Sequence, residues 1–97
     1  MEKVAVPNTE KSPIACIRMQ LESCFHPTEL EITDDFDKHI GHPHMGAGHY
    51  SVRIVAPEFS SLLLIQRHRM IYAALENLLR TDIHALSIKA LAPGEPR

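Results

Sequence analysis

At 97 residues, with 44% apolar and 23% charged side chains, the chain has material for one hydrophobic core and not for two. Its formal charge of −2 gives no overall field that would draw it to nucleic acid or to an anionic membrane, which leaves only a local basic patch for such contacts. No run approaches the length of a bilayer span, and the polar start MEKVAVPNTEKSP lacks the apolar stretch of a secretory signal, so a cytoplasmic protein without membrane contact is expected.

Residues 1–9 read as a flexible tail, in which Pro7 discourages regular structure. A helix is expected from Ser12, the N-cap, with Pro13 at its first position and Ile14, Ile17, Leu21 and Cys24 on one face. Cys16 and Cys24 would then lie about 12 Å apart along the axis, beyond disulfide reach, so reduced thiols are expected. His26-Pro27 ends the helix, because a residue before proline is pushed out of the α region.

TELEITDD alternates as a half-buried strand does, with Leu30 and Ile32 on one face. HYSVRIVAP repeats the pattern, with Tyr50, Val52 and Ile54 inward and Ser51 and Arg53 outward. Between the two strands runs HIGHPHMGAGH, a connection longer than a tight hairpin needs. One long amphipathic helix is expected after PEFSS, with Leu64, Ile71, Leu75 and Leu78 on a stripe and Ile65, Tyr72 and Leu79 beside it. IHALSIKAL is the last strand, with His84, Leu86 and Ile88 on one face, and residues 94–97 read as a frayed C-terminal tail. The sum is an α+β sandwich: a three-stranded sheet with helices packed on one face.

The histidines are the chemistry-bearing residues. His39, His42 and His44 have a spacing that can gather a divalent ion, but structural zinc sites close four ligands and commonly include cysteine, so an independent zinc site is disfavoured. His49, at the start of a strand, reads as a surface residue. On pattern alone His84, aligned with Leu86 and Ile88, is a hydrogen-bonded core or edge histidine. His68 shares the apolar stripe, with Arg67 and Arg69 solvated at its borders; these arginines with Arg80 and Lys89 are a thin supply of cations for a nucleic-acid surface. No phosphate-binding glycine loop, nucleophile motif or paired carboxylate is present, so an enzyme is not expected.

At GHYSVRIVAPEF, RHRMIYAAL and IHALSIKALAP the sequence closely resembles the BolA family, and DDFDKHIGH is similar to that family's histidine-bearing loop. The resemblance runs from about Ile14 to Pro93 within an expected domain of residues 10–93. It implies an α-β-β-α-α-β, class II KH-like fold, with a short helix around 57–63. It also implies that His84 and His39, with His42 or His44 as alternates, are ligands of a [2Fe-2S] cluster. That cluster would be shared with a monothiol glutaredoxin and its glutathione, and none is expected on the isolated chain. Arg67, His68, Arg69 and Lys89 would form a partner or nucleic-acid surface. The implied role is iron–sulfur cluster trafficking and regulation, with a DNA-binding transcriptional regulator as the alternative, and a monomer or weak homodimer when alone. Two departures stand out: Ser61 replaces a usual glycine, and APGEPR replaces a tryptophan-bearing end.

Overall fold

A computed structural model describes residues 12–35 and 48–96. Helix α1 (Pro13–Cys24) starts as expected: Ser12 Oγ accepts from the Ala15 N–H at 3.2 Å, and Pro13 fills the first turn. Ile17 and Leu21 are buried, whereas Cys24, expected on the same face, is exposed in the last turn. Phe25 is buried in its stead, its ring 5.2 Å from that of Phe59. Cys16 and Cys24 form no disulfide with each other. No helix among the described residues is long and apolar enough to cross a membrane.

Strands β1 (Glu29–Asp34), β2 (His49–Val55) and β3 (Ala85–Leu91) form a sheet in that order, β1 antiparallel and β3 parallel to the central β2. The registers stack Leu30, Ile54 and Ala90 in one inward row and Ile32, Val52 and Ile88 in the next, with Tyr50 and Leu86 beyond. The alternation read from the sequence is thus realised, and it is what buries one face. The other face carries Glu31, Arg53 and Lys89 in one row and Thr33, Ser51 and Ser87 in another. Arg53 is held there between Glu29 (2.7 Å) and Glu31 (3.5 Å).

After β2 a 3₁₀ turn (Pro57–Phe59) stands where the short helix around 57–63 was expected, and it buries Phe59 completely. The long helix is two: α2 (Leu64–Ala74) and α3 (Glu76–Thr81), broken at Leu75, whose φ of −105° and ψ of 14° leave the helical region. The order α-β-β-α-α-β and the class II KH-like arrangement hold. Gln66 reaches back to the Leu63 N–H at 2.8 Å, which is half of a capping box.

The buried line of α2 runs through Arg67, Ile71 and Leu75 rather than through Leu64, and Leu64, Ile65 and Tyr72 are exposed. Arg67, expected at a solvated border, is only 5% exposed. An arginine is tolerated inside because each of its three guanidinium nitrogens has an acceptor: Nε donates to Leu62 O (3.1 Å), Nη1 to Ala90 O (3.0 Å), and Nη1 and Nη2 make a bidentate fork to Glu95 (2.7 and 2.8 Å). Glu95 also accepts from the Ala92 N–H at 3.0 Å. Glu95, in the stretch expected to fray, is therefore pinned.

Ser61, at the position of the resembled family's glycine, has φ of +67°. An L side chain in that left-handed region costs about 1 kcal/mol or more, against a smaller entropic cost for glycine in the unfolded chain. Ser61→Gly should therefore raise stability by up to about 1 kcal/mol, read as a higher urea midpoint with unchanged slope. A Ser61→Val chain should move the midpoint the other way.

Candidate metal centre and the surface beside it

His84 does not lie in β3. The strand starts at Ala85, and His84 occupies the bend before it, exposed rather than inward with Leu86 and Ile88. Two helical carbonyl bonds close the approach to it: Asp82 N–H and Ile83 N–H both donate to Leu78 O, at 2.8 and 2.9 Å. Ile83 is buried and anchors the bend in the core.

The His84 backbone is fixed from the other side by Gly48. The N–H groups of His84 and Ala85 both donate to Gly48 O, at 2.8 and 3.1 Å. Gly48 has φ of +81°, and a Cβ built on it would collide with Cδ2 of the His84 imidazole and stand 3.1 Å from Asp82 O. The residue is glycine for two reasons, its backbone angle and the ring lying against it. The signal was in the sequence, in the glycine directly before the HYSV strand, but the role needs the fold to be seen.

The same end of the sheet carries Asp34, Tyr50 and Asp82. Asp34 pairs with Tyr50 across β1 and β2, and burial, then Asp34, then Asp82 push the Tyr50 phenol above its ordinary range, so it stays protonated. Asp35 accepts from Ser51 Oγ at 2.6 Å and closes β1 against β2. His49 stands across from Ala85 in the parallel register, half-buried. His39, His42 and His44 lie outside the described residues. The residues that bracket their segment, Asp35 and Gly48, are both at the His84 end of the sheet. Among the described residues no three His, Cys, Asp or Glu side chains are gathered as one metal ion would require. A metal at His84 must therefore draw further ligands from outside that set.

The expected basic surface is thinner than the sequence suggests, because Arg67 is spent on Glu95. Among the described residues, Arg69 and Lys89 are exposed and His68 is half-buried beside them. Leu64 and His68 of α2 face Ile88 to Leu91 of β3 across a groove of about 550 Å³. Glu95, missed in the sequence, shapes the end of that groove together with Pro96.

A family model described as BolA-like protein matches residues 21–95. SufE-like protein 1 of Arabidopsis thaliana is 40% identical over 86 residues, which cover 81% of this chain and 23% of that protein. BolA-like protein 1 of Homo sapiens is 36% identical over 83 residues, covering 86% of this chain and 60% of that one. An Escherichia coli K12 protein described as DNA-binding transcriptional regulator BolA is 35% identical over 72 residues, covering 74% of this chain and 68% of that one. The chain thus spans only part of the length of several relatives, under a quarter in the first case. Among solved structures, BolA1 from Arabidopsis thaliana superposes with a TM-score of 0.78 at 32% identity, covering 90% of this chain and 99% of that one. The BolA domain of SufE1 from the same plant gives 0.73 at 42% identity, with 84% and 92% covered.

Proposed function

The chain belongs to the BolA-like protein family, and on that premise we propose that it carries or regulates a [2Fe-2S] cluster shared with a monothiol glutaredoxin and glutathione, catalysing no reaction itself. The observation that supports this reading best is the placing of His84: its ring is exposed while its backbone is tied to Gly48 and its neighbour Ile83 is buried. Such placing suits a ligand whose backbone is set before a metal arrives.

The donor set suits iron. Neutral imidazole is a good iron ligand, and histidine in place of thiolate raises a cluster's reduction potential. The second ligand is His39, with His42 or His44 as alternates, and the thiolates come from the glutaredoxin cysteine and from glutathione. Arg69, Lys89 and His68 supply cations beside the groove for carboxylates of the partner or of glutathione. Because this chain contributes imidazoles alone, the isolated chain does not retain the cluster.

The test is reconstitution: purified chain, monothiol glutaredoxin, glutathione, iron and sulfide, followed by visible absorption and circular dichroism. A one-to-one complex with a spectrum distinct from that of the glutaredoxin-only cluster is expected. A mixture whose spectrum is the sum of its separate components contradicts the reading.

The similarity to the Escherichia coli protein described as a DNA-binding transcriptional regulator favours a second reading, DNA contact through the same surface. With Arg67 occupied by Glu95, phosphate contacts fall to Arg69, Lys89 and His68, too few for high affinity at physiological salt. Weak binding with a shallow salt slope, reduced by Arg69→Ala, is the expected result. Tight, sequence-selective binding at physiological salt without a protein partner would make the second reading the first.

A further inference from the structure

β3 ends the sheet: β2 lies along one side of it and, among the described residues, no strand lies along the other. Its odd-numbered residues turn their backbone to the β2 side, as Ala85 N–H to Gly48 O and Leu91 O from Ala56 N–H show. Alternation then aims the N–H and C=O of Leu86, Ile88 and Ala90 at the open side. In a parallel ladder, a neighbouring residue opposite Leu91 would donate to Ala90 O and accept from Ala92 N–H. Side chains do both here. Arg67 Nη1 donates to Ala90 O, Glu95 Oε1 accepts from Ala92 N–H, and the two are bonded to each other at 2.7 Å. The Arg67–Glu95 pair occupies the lane of a fourth strand and reproduces one residue of it.

Upstream of that pair no strand among the described residues covers the edge. The groove between α2 and β3 runs beside it, lined on the helix side by Leu64, which is 63% exposed, and the chain neighbours Leu63 and Ile65 are 67 and 57% exposed. An unpaired edge beside exposed apolar side chains is a template for another strand. The edge is also complementary to itself. Antiparallel pairing about Ile88 sets Ile88 against Ile88 of a second copy and Leu86 against Ala90. The two-fold axis is then perpendicular to the sheet, so the helices of both copies stay on one side and the two grooves merge. The same pairing sets Ala85 of the second copy opposite Leu91, where the guanidinium and carboxylate already stand, and asks for an Ala90 O already bonded.

We propose that the β3 edge is a self-pairing surface for a second copy of this chain, and that the Arg67–Glu95 pair is the stopper that keeps the chain monomeric. The inference stands apart from the cluster reading, since it uses neither His84 nor any metal. Lys89 lies on the outward face of the paired strands and meets Ser87 of the second copy, so it does not oppose the pairing by like charge.

The test compares the full chain with Glu95→Ala by sedimentation equilibrium and by hydrogen exchange of the Ile88 amide, with circular dichroism as the check on folding. The unaltered chain should show the mass of one copy. Glu95→Ala should show twice that mass at high concentration, with Ile88 exchange slowing as concentration rises, and Leu64→Asp added to it should restore one copy. Arg67→Met combined with Glu95→Ala clears the lane fully and repeats the test should the guanidinium alone still block it. Folded variants that keep the mass of one copy overturn the proposal, as does a doubling of mass that leaves Ile88 exchange unchanged. An unaltered chain that already pairs through Ile88 overturns the stopper.

Discussion

Arg67→Met is expected to lower the stability of the domain by about 2–3 kcal/mol. Methionine fills a similar volume but donates nothing, so the buried Ala90 O loses its partner, at about 1–3 kcal/mol before any relaxation, and the part-buried Leu62 O loses one at a smaller cost. Glu95, more exposed than its partner, returns to water and limits the loss. Arg67→Lys should recover little, since an ammonium cannot make the fork to Glu95 and reach both carbonyls. Thermal unfolding reads the result as a fall of roughly 4–8 °C per kcal/mol for a domain of this size. A midpoint unchanged by Arg67→Met would mean that the guanidinium contributes nothing net.

The same pair sets an acid dependence. Hydrogen bonds from Arg67, and then from the Ala92 N–H, hold the Glu95 carboxyl down to about 2, below the ordinary value of 4.5. A folded value below the unfolded one stabilises the fold fully above the ordinary range, and that contribution is lost as pH falls towards about 2. The stability gap between the unaltered chain and Glu95→Gln should therefore narrow from about pH 5 downward. A gap constant across that window contradicts the assignment. The Glu58 carboxyl is lowered in the same direction by its hydrogen bond with His26, so the two titrations overlap and the Glu95→Gln comparison separates them.

Gly48→Ala is expected to displace His84 without replacing it. The new Cβ has no room beside the imidazole, and alanine at φ of +81° is strained by about 1–2 kcal/mol. The ring must swing away, or the carbonyl that holds His84 and Ala85 must move. In the mixed complex this substitution should reproduce most of the effect of removing the histidine, although the histidine is still present. Resonances of His84 in the NMR spectrum should shift more than those of His26, at the far end of β1. A chain with Gly48→Ala that holds the cluster like the unaltered one would show that the position of His84 is not set by Gly48.

Much of this was legible in the sequence. Ser12-Pro13 marked the first helix, and the alternation of Leu30, Ile32, Tyr50, Val52 and Ile54 marked the inner face of the sheet, because local chemistry decides both. The break at Leu75 was not legible, since Ile71, Leu75 and Leu78 keep a helical period across it. Nor was the burial of Arg67. An arginine goes inside only with its charge matched, and the match comes from Glu95, 28 residues on, in a stretch that reads as a polar end. His84 was recognised as the informative residue but placed one step too far into the strand, because period-two alternation does not say where a strand begins. Leu86 and Ile88 carry the pattern; the Gly48 carbonyl, bonded to both His84 and Ala85, sets its start.

The cluster-sharing proposal stands or falls most directly on His84→Ala in the complex with monothiol glutaredoxin and glutathione, followed by visible circular dichroism and the lifetime of the cluster. His84 is exposed and its imidazole makes no hydrogen bond among the described residues, so the substitution should leave the fold and the apo complex intact. The histidine-type spectrum should be lost and the cluster should pass to the glutaredoxin-only form, whereas His39→Ala should be milder because His42 or His44 can take its place. A His84→Ala complex with an unchanged spectrum and an unchanged cluster lifetime would contradict the proposal.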